Sequence, residues 1–375
     1  MMQRSTSRLT LLPASTRPPR HTMLAALLGL SLLAPMTSFA QSDDEKRAAM
    51  NAAYRQYQEI VAQGPQFREQ SIEPAREAYE LALDVLGDAN PTTAALAINY
   101  GNALTDGDDA ADILEHALEI SENVHGDDAL ELIDPLMALA NSATAHGEFA
   151  DARDHYERAF EIAQAQEQRD PILEAIIGVQ LGTTSFSMGR LDEARDYFIG
   201  ARDKLQPIDN DVARIRLATA NFWIGRYEIS AANYLGAIAP LQASAEVFDA
   251  IPEARQFSVN SHIALVEAYE RQGQRDQATP HALFVGQDST APTLIYRPAF
   301  PGELWREGEI TLRFDVDAEG FVTNVSTADG DADAELVTAA SEAVTAVRYA
   351  PRFENGSAVA TSGVTMPFRF SRPGR

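Results

Sequence analysis

One spacing governs most of this chain. Between residues 43 and 285 the triplet Ala-x-x-x-(aromatic or Leu)-x-x-Ala recurs as Ala75/Tyr79/Ala82, Ala110/Leu114/Ala117, Ala152/Tyr156/Ala159 and Ala194/Phe198/Ala201. Weaker echoes stand at Ala237/Leu241/Ser244 and Ala278/Ala282/Val285. Successive first alanines are 35, 42, 42, 43 and 41 residues apart. Positions i, i+4 and i+7 share one helix face, so small alanines admit a neighbouring helix while the central side chain fills the space between them. Self-similarity at such a period denotes stacked helix pairs. The intervening sequence is rich in Ala, Leu, Glu, Gln and Arg, all good helix formers. Gly147, Gly189 and Gly273 each precede a triplet alanine by five residues, where a left-handed residue can end the preceding helix. The expectation is a superhelical array of five or six helix pairs.

Two stretches, GEFADARDHYERAF (Gly147–Phe160) and LGTTSFSMGRLDEARDYFIGARD (Leu181–Asp203), resemble the tetratricopeptide repeat. Leu181, Gly182, Phe186, Gly189, Ala194, Phe198 and Ala201 follow that family's order. The period is longer than the family's usual value of about 34, and the match is poor around residues 207–250. The resemblance implies a surface that docks another protein, here an unidentified periplasmic one, without naming it.

Beyond a short polar, proline-containing stretch the pattern changes. Ile310, Leu312, Phe314 and Val316 alternate with Thr311, Arg313 and Asp315, the period of a half-buried strand. Asp317 to Gly320 reads as a turn, and Phe321 to Thr327 as a returning strand. Asp333 suits the N-cap of a helix over Ala334–Val347, with Leu336, Ala340, Ala343 and Val347 inward. After the Asn355-Gly356 turn, Val364, Met366, Phe368 and Phe370 alternate with Thr365, Pro367 and Arg369 as a closing strand. The order is β-β-α-β, with the helix on one sheet face.

These residues resemble the C-terminal domain of TonB-type energy transducers over about residues 292–371. The resemblance is carried by Tyr296 and Pro298, Gly308, Asp317 with Gly320, Ala339 and Ala340, Tyr349 with Pro351, Asn355-Gly356, and Pro367 with Phe370. It implies that the closing strand is a sheet edge to which an extended segment of an outer-membrane TonB-dependent receptor adds as a further strand. Pro367 lacks an N–H and so suits an edge independently. The candidate partner-binding residues are Val364, Thr365, Met366, Phe368, Arg369 and Phe370. The four apolar ones are read first as core, leaving main-chain groups to carry the contact and Thr365 and Arg369 to add side-chain specificity.

The N-terminal 40 residues read as a cleavable signal peptide. Arg4, Arg8, Arg17 and Arg20 precede an apolar run from Met23 to Leu33, Pro35 interrupts it, and Ser38-Phe39-Ala40 has the small-x-small pattern of a cleavage site. The apolar run falls well short of the roughly 20 residues that cross a bilayer. An uncleaved segment would instead anchor the chain in the inner membrane. Cleavage would leave no covalent path to the proton-motive machinery and favour a soluble periplasmic scaffold or adaptor with no energy-transducing role.

The whole chain has 30 basic and 55 acidic residues, a net charge of −25 that disfavours nucleic acid and anionic lipid. It has no cysteine, which removes disulfides, thiolate nucleophiles and cysteine-ligated metal. Its seven histidines show no metal-ligand spacing, and no Gly-x-Ser-x-Gly elbow, phosphate-binding loop or dinucleotide fingerprint occurs. Asp329–Leu336 invites a calcium loop, but Ala334 and Ala340 stand where glycine and glutamate are needed. The expectation is a binding protein and not an enzyme, with no catalytic residue, metal or small-molecule cofactor. Its expected parts are a signal peptide at 1–40, an all-α tetratricopeptide-like superhelix at 41–286, a linker at 287–291 and a small α+β TonB-like domain at 292–375.

Overall fold

The triplets lie on every second helix of a stack of twelve. The structure, a computed structural model, describes residues 42–105, 107–298, 308–328 and 333–370. The expected signal peptide, and residues 329–332 of the acidic stretch, lie outside these. The helices are α1 (Asp43–Val61), α2 (Arg68–Leu86), α3 (Pro91–Ala103), α4 (Gly107–His125), α5 (Ile133–His146), α6 (Phe149–Ala165), α7 (Pro171–Ser187), α8 (Leu191–Leu205), α9 (Asp211–Ser230), α10 (Tyr234–Asp249), α11 (Arg255–Arg271) and α12 (Arg275–Gly286). They form the six pairs of a tetratricopeptide-like superhelix, each packed on its sequence neighbours.

The triplet alanines of α2, α4, α6 and α8 are all buried, as are their central Tyr79, Leu114, Tyr156 and Phe198. The central residue often sits against a glycine of the preceding helix. A Cβ on Gly182 would lie 2.4 Å from the Phe198 ring, and one on Gly225 2.4 Å from Leu241. Gly147, Gly189 and Gly273 adopt φ of +83°, +76° and +70°, the left-handed turns that their spacing implied.

The stretch around 207–250, where the repeat is weak in sequence, is built as α9 and α10 like the other pairs. Its echo Ala237/Leu241/Ser244 is fully buried. Ala232, five residues before Ala237, takes φ +59° at the place of the glycine in neighbouring repeats. The turn geometry is therefore kept while its sequence signature is lost.

The C-terminal module contains β1 (Thr293–Tyr296), β2 (Gly308–Val316), β3 (Val322–Thr327), α13 (Ala334–Thr345), β4 (Arg348–Ala350), β5 (Arg352–Glu354), β6 (Ser357–Val359) and β7 (Thr361–Phe370). Asp333 caps α13 by accepting from the Glu335 N–H at 2.9 Å. Three strands form an antiparallel sheet in the order β3-β2-β7, as the alternating patterns implied. Leu336, Ala340 and Val344 of α13 pack with Ile310, Leu312, Phe314, Met366, Phe368 and Phe370 in one core.

Three short strand pairings extend the expected β-β-α-β order. β1 pairs with β4, β5 pairs with β6 around the Asn355-Gly356 turn, and Arg348 bridges to Phe321 beside β3. These strands have three or four residues each, too few to show a period.

Candidate partner-binding edge

β7 stands at the end of the β3-β2-β7 sheet, and no strand pairs with its far side among the described residues. Which of its main-chain groups face outward follows from the register. The Ala328 N–H donates to the Thr311 carbonyl at 2.9 Å, so the main chain of Thr311 faces β3. By the antiparallel alternation, Ile310 and Leu312 turn their groups toward β7, opposite Phe368 and Met366. Arg313, Thr311 and Glu309 lie opposite Thr365, Pro367 and Arg369, which must then present their main chain away from β2. The outward margin offers carbonyls at Thr365, Pro367 and Arg369 and N–H donors at Thr365 and Arg369. Proline sits at a place where no ladder bond of the chain's own sheet needs its N–H.

Side chains divide the same way. Met366, Phe368 and Phe370 are buried and Val364 is half-buried against the core, while Thr365, Pro367 and Arg369 are exposed. Arg369 is paired with Glu309 on β2. The six candidate residues thus separate into four that hold the sheet together and two, Thr365 and Arg369, that face the margin.

The module is fastened to the last helices of the array by residues that the sequence pattern did not single out. Arg348 is fully buried, and its Nη1 donates to Glu270 Oε1 of α11 at 2.9 Å. Its Nη2 donates to Thr279 of α12 and to the Glu319 carbonyl, the latter at 3.1 Å. The guanidinium lies over the Phe321 ring, 3.6 Å from its centroid, and Arg275 approaches the same ring at 4.7 Å. Arg275 also pairs with Glu270, at 3.0 Å. Burial pulls the Arg348 pKa down, and Glu270 opposes that by favouring the charge. Main chains also meet closely. A Cβ on Gly286 of α12 would lie 2.2 Å from the Pro351 carbonyl oxygen of the module. Within the stretch expected as a linker, the Ser289 carbonyl accepts from the Phe353 N–H at 2.9 Å. The signal in the sequence was a single arginine inside the apolar run Val347–Ala350.

Two histidines meet between α10, α11 and α12. Nδ1 of His262 and Nδ1 of His281 lie 2.8 Å apart, and His262 Nε2 is 3.2 Å from Asp249 Oδ2. Ser258 donates to Asp249 at 2.6 Å. Burial lowers both imidazole pKa values, and the neighbouring His262 helps bring His281 down to about 4. No group of three metal-ligating side chains occurs among the described residues, and none of their helices is long and apolar enough to cross a membrane.

A stack of helix pairs ending in a small sheet with an exposed margin defines a protein-binding class. Residues 92–165 match the tetratricopeptide repeat family. Residues 303–371 match the family described as the Gram-negative bacterial TonB protein C-terminal domain. The chain therefore carries tetratricopeptide repeats followed by a TonB C-terminal domain, and both families are of scaffold or transducer type. The first match covers α3 to α6, although the helical pairs continue on both sides of it, and the second begins after β1.

No curated protein matches the chain. Among solved structures, BtubC (BKLC) from P. vanneervenii is similar at 15% identity, covering 64% of this chain and 89% of its own with a TM-score of 0.44. A putative kinesin light chain from Podosopora anserina with nearly identical TPR-like repeats shows 14% identity, 56% and 97% coverage and a TM-score of 0.45. PilW, a type IV pilus biogenesis factor, shows 14% identity, 62% and 90% coverage and a TM-score of 0.45.

Proposed function

We propose that this protein acts in the periplasm of a Gram-negative cell, where β7 accepts an extended segment of an outer-membrane TonB-dependent receptor as an added strand, in energy-coupled transport. The helical array holds a second protein in the same reading. The observation that carries it is the register of β7, which turns the main chain of Thr365, Pro367 and Arg369 away from β2. Strand addition needs such a row of groups, and the affinity comes from main-chain hydrogen bonds. The match to the TonB C-terminal family supports an outer-membrane receptor as the donor of the strand. The basic, then apolar leader at 1–40 supports export.

A second reading, an adaptor with no energetic role, is favoured by the Arg348–Glu270 fastening, which holds whatever β7 captures at a set distance from the array. The mature N-terminus separates the two. A chain starting at residue 41 favours the soluble adaptor, and one starting at residue 1 or 2 favours an anchored transducer.

Strand addition itself is tested by capture on an immobilised N-terminal segment of an outer-membrane receptor from the same cell. Thr365→Pro removes one outward N–H without removing a β2–β7 ladder bond, so capture should be lost, while Thr365→Val should retain it. Undiminished capture by the proline variant would sink the reading.

A further inference from the structure

A groove of about 530 Å³ runs between α6 and α8 above the middle of α7. Its walls include Phe160 and Tyr197, whose rings meet edge to face at 6.0 Å. Its floor is open because two of its residues are glycines. A Cβ on Gly178 would come no closer than 3.9 Å to a neighbour, and one on Gly200 would meet nothing within 4 Å. Neither glycine is needed for helix packing there, unlike Gly182 one turn away from Gly178.

Most charges around the groove are already paired. Lys204, at 2.9 Å, shares the buried Glu174 with Arg169, and Glu193 is held by Arg153 at 2.9 Å and by Arg190 at 3.7 Å. Asp192 and Asp196, one helical turn apart on α8, are exposed and make no ion pair among the described residues. Elsewhere the array covers half-exposed rings with its own arginines. Arg195 lies over Tyr227 at 5.9 Å, Arg255 over Phe284 at 4.3 Å and Arg271 over Tyr234 at 5.8 Å. No such cation lies over Phe160 or Tyr197 among the described residues.

We propose that this groove receives an arginine side chain from an extended basic segment of a partner protein, its guanidinium over the Phe160–Tyr197 pair and its charge beside Asp192 and Asp196. A planar guanidinium stacks on rings and is more weakly hydrated than an ammonium, which favours arginine over lysine. The inference rests on reading the array as a docking surface, and adds to that reading a position and a ligand chemistry.

The test is fluorescence anisotropy of the full chain with a labelled decapeptide of alternating arginine and alanine, at physiological salt. Gly200→Leu puts a side chain into the floor at a position where its Cβ meets nothing within 4 Å, and should weaken binding at least 10-fold. Asp192→Asn with Asp196→Asn should weaken it several-fold. Removing the same charge at Asp127 and Asp128, outside the groove, should leave it unchanged. Three results would overturn the proposal: no binding by the unaltered chain, equal binding by Gly200→Leu, or equal losses from the two aspartate pairs. Receptor-segment capture through β7 is measured on the same Gly200→Leu protein, so a failure confined to the arginine peptide refutes the groove and leaves the β7 reading standing.

Discussion

Arg348 of β4 and Glu270 of α11 form a buried ion pair at 2.9 Å across the boundary between the small sheet and the helical array. Each side of the pair belongs to a different module, so the charge of one is compensated only when the two are docked. Glu270→Gln would leave Arg348 and Arg275 without their shared carboxylate. Loss of one partner of a buried pair costs roughly 3–5 kcal/mol, and urea unfolding should show a loss of that order. Replacing both partners, as Arg348→Met with Glu270→Leu, should recover most of it, because the desolvation of two charges is then avoided. If the single variant unfolds at the unaltered midpoint, the pair does not hold the modules together.

The array was legible because its core repeats. Ala152, Tyr156 and Ala159 return as Ala194, Phe198 and Ala201, and burial follows the pattern residue by residue. The β2 and β7 strands were legible for the same reason, since each is long enough to show a period of two. What the sequence hid was short or singular. β1, β4, β5 and β6 are too brief for a period, and Arg348 is one charge whose partners on the helices, Thr279 and Glu270, lie 69 and 78 residues away in sequence. The candidate edge was legible as a strand, but the assignment of its outward groups to Thr365, Pro367 and Arg369 needed the register. The groove between α6 and α8 gave no sequence signal, because an unfilled glycine and a clash-relieving glycine look alike.

Ala232 adopts φ +59° at the turn position that Gly147, Gly189 and Gly273 occupy in other repeats. A left-handed conformation costs an L-residue about 1–2 kcal/mol. Ala232→Gly relieves this, and the greater freedom of glycine in the unfolded chain offsets part of the gain. The net expectation is a stabilisation of about 1 kcal/mol, read as a rise in the urea midpoint with unchanged slope. A fall in the midpoint would show that the turn is not strained.

Gly182 and Gly200 belong to the same helix pair and should respond in opposite directions to alanine. At Gly182 the new methyl would meet the fully buried Phe198 ring at 2.4 Å, whereas at Gly200 it meets nothing within 4 Å. Overpacking a core costs about 1–3 kcal/mol, and alanine gains up to about 1 kcal/mol over glycine in a helix. Gly182→Ala should therefore destabilise and Gly200→Ala stabilise, as measured by thermal midpoints. Equal shifts would mean that Phe198 can move aside.

The His262–His281 contact sets a pH dependence for the last helix pairs. Burial holds His281 neutral, with its pKa lowered from 6.5 to about 4, and His262 is lowered as well. The groups facing the pair are Asp249 of α10, Arg255, Ser258 and Tyr269 of α11, and Phe284 of α12. A base with a depressed folded-state pKa is protonated first in the unfolded chain. Stability is thus complete above pH 6.5 and declines as pH falls toward about 4, below which His281 adds no further loss. Carboxylates elsewhere also titrate in this window, so the decisive quantity is a difference between proteins. His281→Gln should flatten the decline in thermal midpoint between pH 7 and pH 4.5 relative to the unaltered chain. Parallel pH profiles for the two proteins would show that the histidine pair does not carry the acid sensitivity.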